Sequence, residues 1–388
     1  MTRSVPVRVL VLALAMTACE DGHVSISMLD YDRANDAYVI GAVRVATLDN
    51  VDRLEGEATT LVGGADLKVD YQDNSLTWRD SGHSVAFAAT KTDGVLYPED
   101  YDSFAMASIY HNMEVAVAFF EAVGFDTTSL GEVTTYYWPV FDLVDSRGVE
   151  DRMVDNAFYM SLGNASPAFF VLPFDQFEWV PMAMNRGILA HEYSHAVYDV
   201  LVYEPRSAGS GGLAVEASNF LSGTNEGVAD FMAVGVTGDP DFIAHTIPRG
   251  TFRTQCNDTV WVEIVRDASV PITYSSSIDG FARSISPTDF CPYQVGAFVA
   301  SLLYGAANTL DGHDPADRVA PSDEAVRKVA GYVLDALDEV GGQLRPTYEL
   351  WDFLTLFVGR FNPGADRQGV CGLIQARYGL YFDEVQGC

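Results

Sequence analysis

The chain has 388 residues, 48 % of them hydrophobic and 12 % aromatic, which is ample for a packed core and excludes a disordered polymer. Its 54 acidic and 23 basic residues give a formal net charge of −31, so few cations are present to neutralise phosphates and a nucleic-acid partner is disfavoured. The length suits one large domain or two lobes sharing a cleft, and the charge suits a solubilising surface or calcium-containing surroundings.

Residues 1–18 read as a targeting segment. Arg3 and Arg8 make a positive start, and the apolar run Val9 to Met16 is too short to span a bilayer. The ending Met16-Thr17-Ala18-Cys19 resembles a bacterial lipobox, in which Cys19 becomes the lipidated first residue. The chain is therefore expected to be an exported bacterial protein that meets the membrane only through a lipid anchor. Ordinary secretion, or release into the periplasm, is the alternative. Setting Cys19 aside leaves Cys256, Cys291, Cys371 and Cys388, an even number that suggests two disulfides in an exported chain. Three pairings are open. Cys256–Cys291 and Cys371–Cys388 are favoured because each closes a modest loop.

Residues 20–100 are expected to form a small β-rich region. Its strands are Val24–Met28, Ala37–Ile40, Val43–Thr47, Leu67–Tyr71 and Val85–Ala88, punctuated by Gly, Asp and Asn clusters. Residues 101–125 turn helical, with Phe104, Met106, Ile109, Met113, Val117 and Phe120 on one stripe and Gly124 at the end. Strands return at 133–141, 157–160 and 168–172. Asn156, just before the second of these, reads as a turn residue, or as the start of an edge strand that pairs with an extended peptide.

Residues 182–204 are predicted to be a helix carrying His191-Glu192-Tyr193-Ser194-His195. Positions four apart share a helix face, so both imidazoles can reach one metal, while Glu192 can hold a water beside it. The flanks are apolar, which makes two histidines and a glutamate improbable as plain surface. Downstream, Glu226 and Asp230 lie four apart in a second apolar helical frame, which continues over 226–237. A catalytic zinc wants three protein ligands and an open position. Glu226 supplies the third ligand, and Asp230 is placed to hold the free nitrogen of a ligand histidine. Between the helices, the Ser-, Gly- and Ala-rich stretch from Glu204 to Gly223 reads as a loop. Residues 250–290 read mostly as loop. Helices follow at 292–308, 321–340, 348–362 and 370–379. Asp311-Gly312-His313-Asp314-Pro315 could hold calcium but lacks the spacing of a calcium loop, so a plain turn is preferred.

The two helices together make the sequence similar to the thermolysin-like zinc metallopeptidases, a gluzincin family that pairs HExxH with Asn-Glu-x-x-x-Asp, here Asn225, Glu226 and Asp230. The resemblance covers roughly residues 100–305. It implies zinc on His191, His195 and Glu226, Glu192 as general base, and Asp230 orienting His191. It implies that Asn156 and Ala157 of Asn156-Ala157-Phe158-Tyr159 hold the substrate backbone, and that Arg283 contacts the substrate near the scissile carbonyl. It implies an α+β, two-lobe zincin fold with a β-rich N-lobe (101–204 carrying the first metal helix), a helical C-lobe (205–388) and the cleft between them.

Two family features are missing. The tyrosine that the family places about nine residues before the glutamate ligand is Ala217 here, with Tyr203 a nearby substitute. The family's histidine before the 292–308 helix is also absent, and Tyr293 is the candidate replacement, since a phenol can donate the same hydrogen bond. The expected function is an exported zinc metalloendopeptidase acting as a monomer on peptides or proteins, with calcium a possible second cofactor. The alternative is a catalytically degenerate lipoprotein of the same fold that binds or supports. A third reading, an aminopeptidase-like enzyme, needs an acidic group in the cleft to hold a free amine, and the sequence identifies none.

Overall fold

The computed structural model describes residues 23–388 apart from 71–72, 74, 146–147, 162–166, 175–178, 205–211, 248–252, 256–260, 285–290 and 316–317. The chain is β-rich to about residue 200 and largely helical beyond it, a two-part α+β architecture. Cys19 and the whole targeting segment lie outside the described residues. Among the described residues, no helix is long and apolar enough to cross a membrane.

The main sheet sets the cleft wall. Ala157–Met160 forms its edge, antiparallel to Ala168–Val171. That strand lies parallel to Thr134–Tyr137, which is parallel in turn to Thr60–Gly63. Every residue of Ala168–Val171 is buried, which is why it reads as an unbroken apolar run rather than an alternation. A second sheet joins Ala37–Val45, Val24–Asp32, Val95–Pro98 and Ala89–Thr92, and a third joins Glu150–Arg152, Val140–Val144, Asp66–Asp70 and Ser75–Asp80. Strands from before and after residue 100 thus share sheets.

Local differences from the sequence expectation have visible causes. Ala37–Ile40 and Val43–Thr47 merge into one strand because Gly41 stays extended opposite Met28. Val85–Ala88 is not a strand. Val85 and Phe87 drop into the core, while single backbone bonds from Phe87 N to Asp52 O and from Ala88 N to Ser103 Oγ anchor the segment.

The helices are α1 Tyr101–Ala122, α2 Arg186–Tyr198, α3 Val215–Thr237, α4 Ser276–Ala282, α5 Pro292–Leu310, α6 Asp323–Gln343, α7 Leu350–Gly359 and α8 Ala365–Arg377. Helix α1 begins where the Asp100 side chain accepts from Ser103 N at 2.7 Å, and the chain turns away just beyond it at Gly124, with φ +99°. Helix α2 is clamped through Tyr193, whose ring lies 5.3 Å from that of Phe120 on α1 and 5.9 Å from that of Phe169 in the main sheet. Helix α3 starts well before Glu226, so part of the expected loop, 215–223, is helical. Small residues there serve a close helix contact. A Cβ on Gly227 would lie 2.5 Å from the Gly296 carbonyl of α5, and one on Gly296 would lie 2.8 Å from Glu226 Cβ. The α3–α5 approach therefore fixes where Glu226 stands.

Cys371 and Cys388 are disulfide-bonded with their Cα atoms 5.4 Å apart. Cys291 is also disulfide-bonded, and Cys256, its expected partner, lies outside the described residues. In the polar turn after α5, the Asp311 carboxylate accepts from Ser322 N and, at 2.8 Å, from Ser322 Oγ, so it braces the start of α6.

Candidate metal centre

The start of α2 is fixed from both sides. Asn185 caps it, accepting from Gly187 N at 2.9 Å and Ile188 N at 3.3 Å, while its amide donates to Phe242 O and Thr246 Oγ1, both at 2.9 Å. Gly187 is needed there because a Cβ would sit 2.3 Å from the Phe242 ring. One turn on, His191 and His195 project from the same face, with their Nε2 atoms 3.0 Å apart and their rings nearly perpendicular. Glu226 reaches in from α3. Its Oε2 lies 3.4 Å from His191 Nε2 and its Oε1 lies 4.0 Å from His195 Nε2.

The far side of each ring decides what the near side can do. His191 Nδ1 lies 2.9 Å from Asp230 Oδ1, and His195 Nδ1 lies 2.9 Å from Asn225 Oδ1. Both oxygens are acceptors, so in the neutral imidazoles each Nδ1 carries the proton and each Nε2 presents a lone pair. Two lone pairs and a carboxylate then face one another in a buried space. Glu226 Oε2 is buried and has no hydrogen-bond partner. Such a set is repulsive by itself and complementary to a cation. Two imidazoles and one carboxylate are the donor set of catalytic zinc. The residues fit a divalent metal.

Asp230 is braced by a residue that the sequence reading missed. Arg266 grips both its oxygens, with Nε at 3.0 Å from Oδ2 and Nη2 on Oδ1, and its Nη2 also lies 3.3 Å from His191 Nδ1. Burial pushes the Asp230 carboxyl up, but the Arg266 guanidinium and His191 together outweigh it and hold the pKa down at about 2. Burial likewise pulls His191 down, yet the neighbouring carboxylates of Asp230 and Glu226 lift it to about 9. Burial works against the Glu226 carboxylate too, and the two histidines more than compensate, lowering its pKa.

Around this centre lies a cleft of about 1000 Å³. Glu192 lines it beside His191, and burial raises its pKa. Its Oε2 accepts from Tyr159 N at 2.9 Å, which joins it to the cleft-facing side of the edge strand. Asn156 and Ala157 line the same wall, and Asn156 Oδ1 accepts from Ala157 N at 2.9 Å. Tyr293, at the start of α5, also lines the cleft, with the Arg266 guanidinium 5.0 Å above its ring. The Glu226 charge, together with burial, raises the Tyr293 pKa, so the phenol keeps its proton and remains a donor.

Three expectations change. Arg283 does not line the cleft. It binds Asp279 and, at 2.9 Å, Glu349, and its guanidinium lies over Phe220, Trp351 and Tyr381. Arg266 is the arginine at the site. Tyr203 packs its ring on Tyr198, 5.6 Å away, and is not among the described residues lining the cleft. The acidic group that the sequence failed to supply is present in the cleft wall, as Asp199. Ala217 is buried in α3.

No protein-family model matches the chain, and no curated protein matches it.

Proposed function

We propose that the chain is an exported, zinc-dependent endopeptidase of the thermolysin-like kind, hydrolysing peptide bonds in the cleft between its β-rich and helical parts. The observation that carries this is the convergence of His191, His195 and Glu226 beside Glu192, whose carboxylate is itself bound to the edge strand. A zinc ion held by these three residues supplies the Lewis acidity that activates water and polarises a carbonyl. Glu192 takes the proton of the attacking water and returns it to the leaving amine, and its raised pKa suits both roles. The amide protons of Ala157 and Tyr159 are held by Asn156 and Glu192, so the edge strand would receive an extended substrate through the carbonyls of these residues. Tyr293 donates its phenolic proton to the developing oxyanion, taking the place of the absent histidine. A donor of that type is worth on the order of 10²–10³ in rate. Arg266 keeps Asp230 ionised, and Asp230 keeps His191 in the tautomer that leaves Nε2 free.

The test compares zinc content and peptide hydrolysis in wild type and Glu192→Gln. The variant is expected to keep its zinc and lose roughly 10²–10⁴-fold in activity. Equal activity in both would remove the mechanism. A zinc-loaded wild type that cleaves no peptide would favour the degenerate binding protein.

A further inference from the structure

Asp199 lies four residues beyond His195, on the stripe that already carries His191 and His195. Helix α2 passes there into a wider turn, Asp199–Tyr203, with the i to i+5 bonding that marks a π-helix. Four residues of helical rise set the Asp199 backbone roughly 6 Å along the axis from His195, the length of about two residues of extended chain.

Its surroundings are unusual for an acid. Asp199 is half-buried in the cleft wall, and among the described residues it accepts one hydrogen bond, from Tyr159 OH to Oδ2 at 2.9 Å. That donor is neutral. Among the described residues no lysine or arginine pairs with Asp199; His195 offsets only part of the effect of burial, and Glu204 adds a further negative charge nearby. The rest of the cleft repeats this imbalance. Asp155, Glu192 and Glu226 also line it, and its described lining holds no lysine and one arginine, Arg266, which is committed to Asp230. Glu226 and Glu192 have roles at the metal and the water, and of the two remaining acids Asp199 is the one on the stripe of the histidines. A half-desolvated carboxylate with so little countercharge is destabilised until a cation arrives. A chain of net charge −31 also draws cations toward its cleft.

We propose that Asp199 is a specificity residue that receives a positively charged group of the substrate, about two residues from the bond that is cut. Lysine or arginine side chains and a free amino terminus share this chemistry. The inference rests on the peptidase reading for its hydrolytic arm only.

The experiment uses quenched fluorescent peptides in which lysine, arginine or norleucine occupies each position flanking the cleaved bond, each with a free or acetylated amino terminus. Wild type is expected to cleave a cationic peptide roughly 10-fold better in kcat/KM than its neutral counterpart, as a charged hydrogen bond implies. Asp199→Asn should collapse that ratio to near one, and Asp199→Glu should restore most of it. Loss of the preference on acetylation assigns the site to the amino terminus, whereas persistence assigns it to a side chain. The same peptides, labelled, are bound to the Glu192→Gln protein and followed by anisotropy. Selective binding of cationic peptides without any hydrolysis by wild type would sink the peptidase reading and leave this inference standing. A wild type without cationic preference overturns it. So does an Asp199→Asn variant that slows cationic and neutral peptides equally, since Asp199 would then act only by holding Tyr159.

Discussion

Among the described residues, two clusters bring three donor atoms within metal-binding reach of one another, His191/His195/Glu226 and Asp36/Asp239/His245. They look alike by spacing and differ in what balances them. In the second, one imidazole nitrogen, His245 Nε2, lies 3.1 Å from Asp36 and 3.1 Å from Asp239. Each carboxylate also has a separate donor, Tyr31 OH on Asp36 and Asp241 N on Asp239. A protonated His245 offsets one of the two negative charges and completes the bonding of the group. In the first cluster, both Nδ1 atoms are already held by acceptors, and Glu226 Oε2 is buried without a partner. With both rings neutral, as metal binding requires, the three inward-facing groups have no proton between them and are complementary to a cation. The difference shows that convergence of donors is weak ground for a metal, whereas the hydrogen bonds behind those donors are strong ground.

The comparison makes its largest prediction about stoichiometry. The wild-type chain should bind one zinc tightly. Glu226→Gln should lose most of that zinc, whereas Asp36→Asn should lose none, as read by metal analysis after dialysis. Two tightly held zinc ions per chain, with one lost in Asp36→Asn, would break the distinction.

A somewhat smaller effect separates the two arginines. Arg266→Leu leaves Asp230 buried without its partner, which costs roughly 3–5 kcal/mol in stability. It also frees the His191 ring, and loss of such support typically weakens metal affinity 10–100-fold. Arg283→Leu removes a bridge between Asp279 and Glu349 that is part-exposed, so it should destabilise less and leave zinc affinity unchanged. Zinc titration and chemical denaturation of both variants check this. Equal zinc affinities would mean that Asp230 orients His191 without help.

The arginines also show what the sequence could and could not say. The metal helices were legible because their residues sit at fixed intervals on regular elements. Four residues bring His191 to His195, and four more bring Glu226 to Asp230, whatever the rest of the chain does. The edge strand at Ala157–Met160 was legible for the same reason. Arg266 was not, because it stands in a stretch without periodicity. Its path back to Asp230 is set by long-range bonds such as Ala268 N to Pro240 O and Ile272 N to Ser301 Oγ. No local pattern distinguishes it from Arg283. Asp199 was hidden differently. It lies in register with the two histidines, but a single aspartate near a helix end reads as solvated surface until the cleft is seen to close around it. The early start of α3 was obscured by serine and glycine, which look like loop until α5 is placed against them.

The weakest effect concerns His245, and it tests the other half of the comparison. Its hydrogen bond to Asp239, followed by the charges of Asp239 and Asp36, outweighs partial burial and raises its pKa above the ordinary histidine value. The groups facing it are those two aspartates and the rings of Tyr31 and Tyr38. A basic group whose folded pKa is raised stabilises the fold fully at pH values below the unfolded pKa, about 6.5. That contribution fades as pH climbs through the folded value. His245→Gln should therefore lower the melting temperature at pH 6 by roughly 1–2 °C, the scale of a partly exposed ion pair in a chain of this size. The gap should narrow at pH 9. A deficit that instead grew with pH, and that vanished when zinc was removed from wild type, would mean that His245 is deprotonated on a metal, and that the two clusters are alike after all.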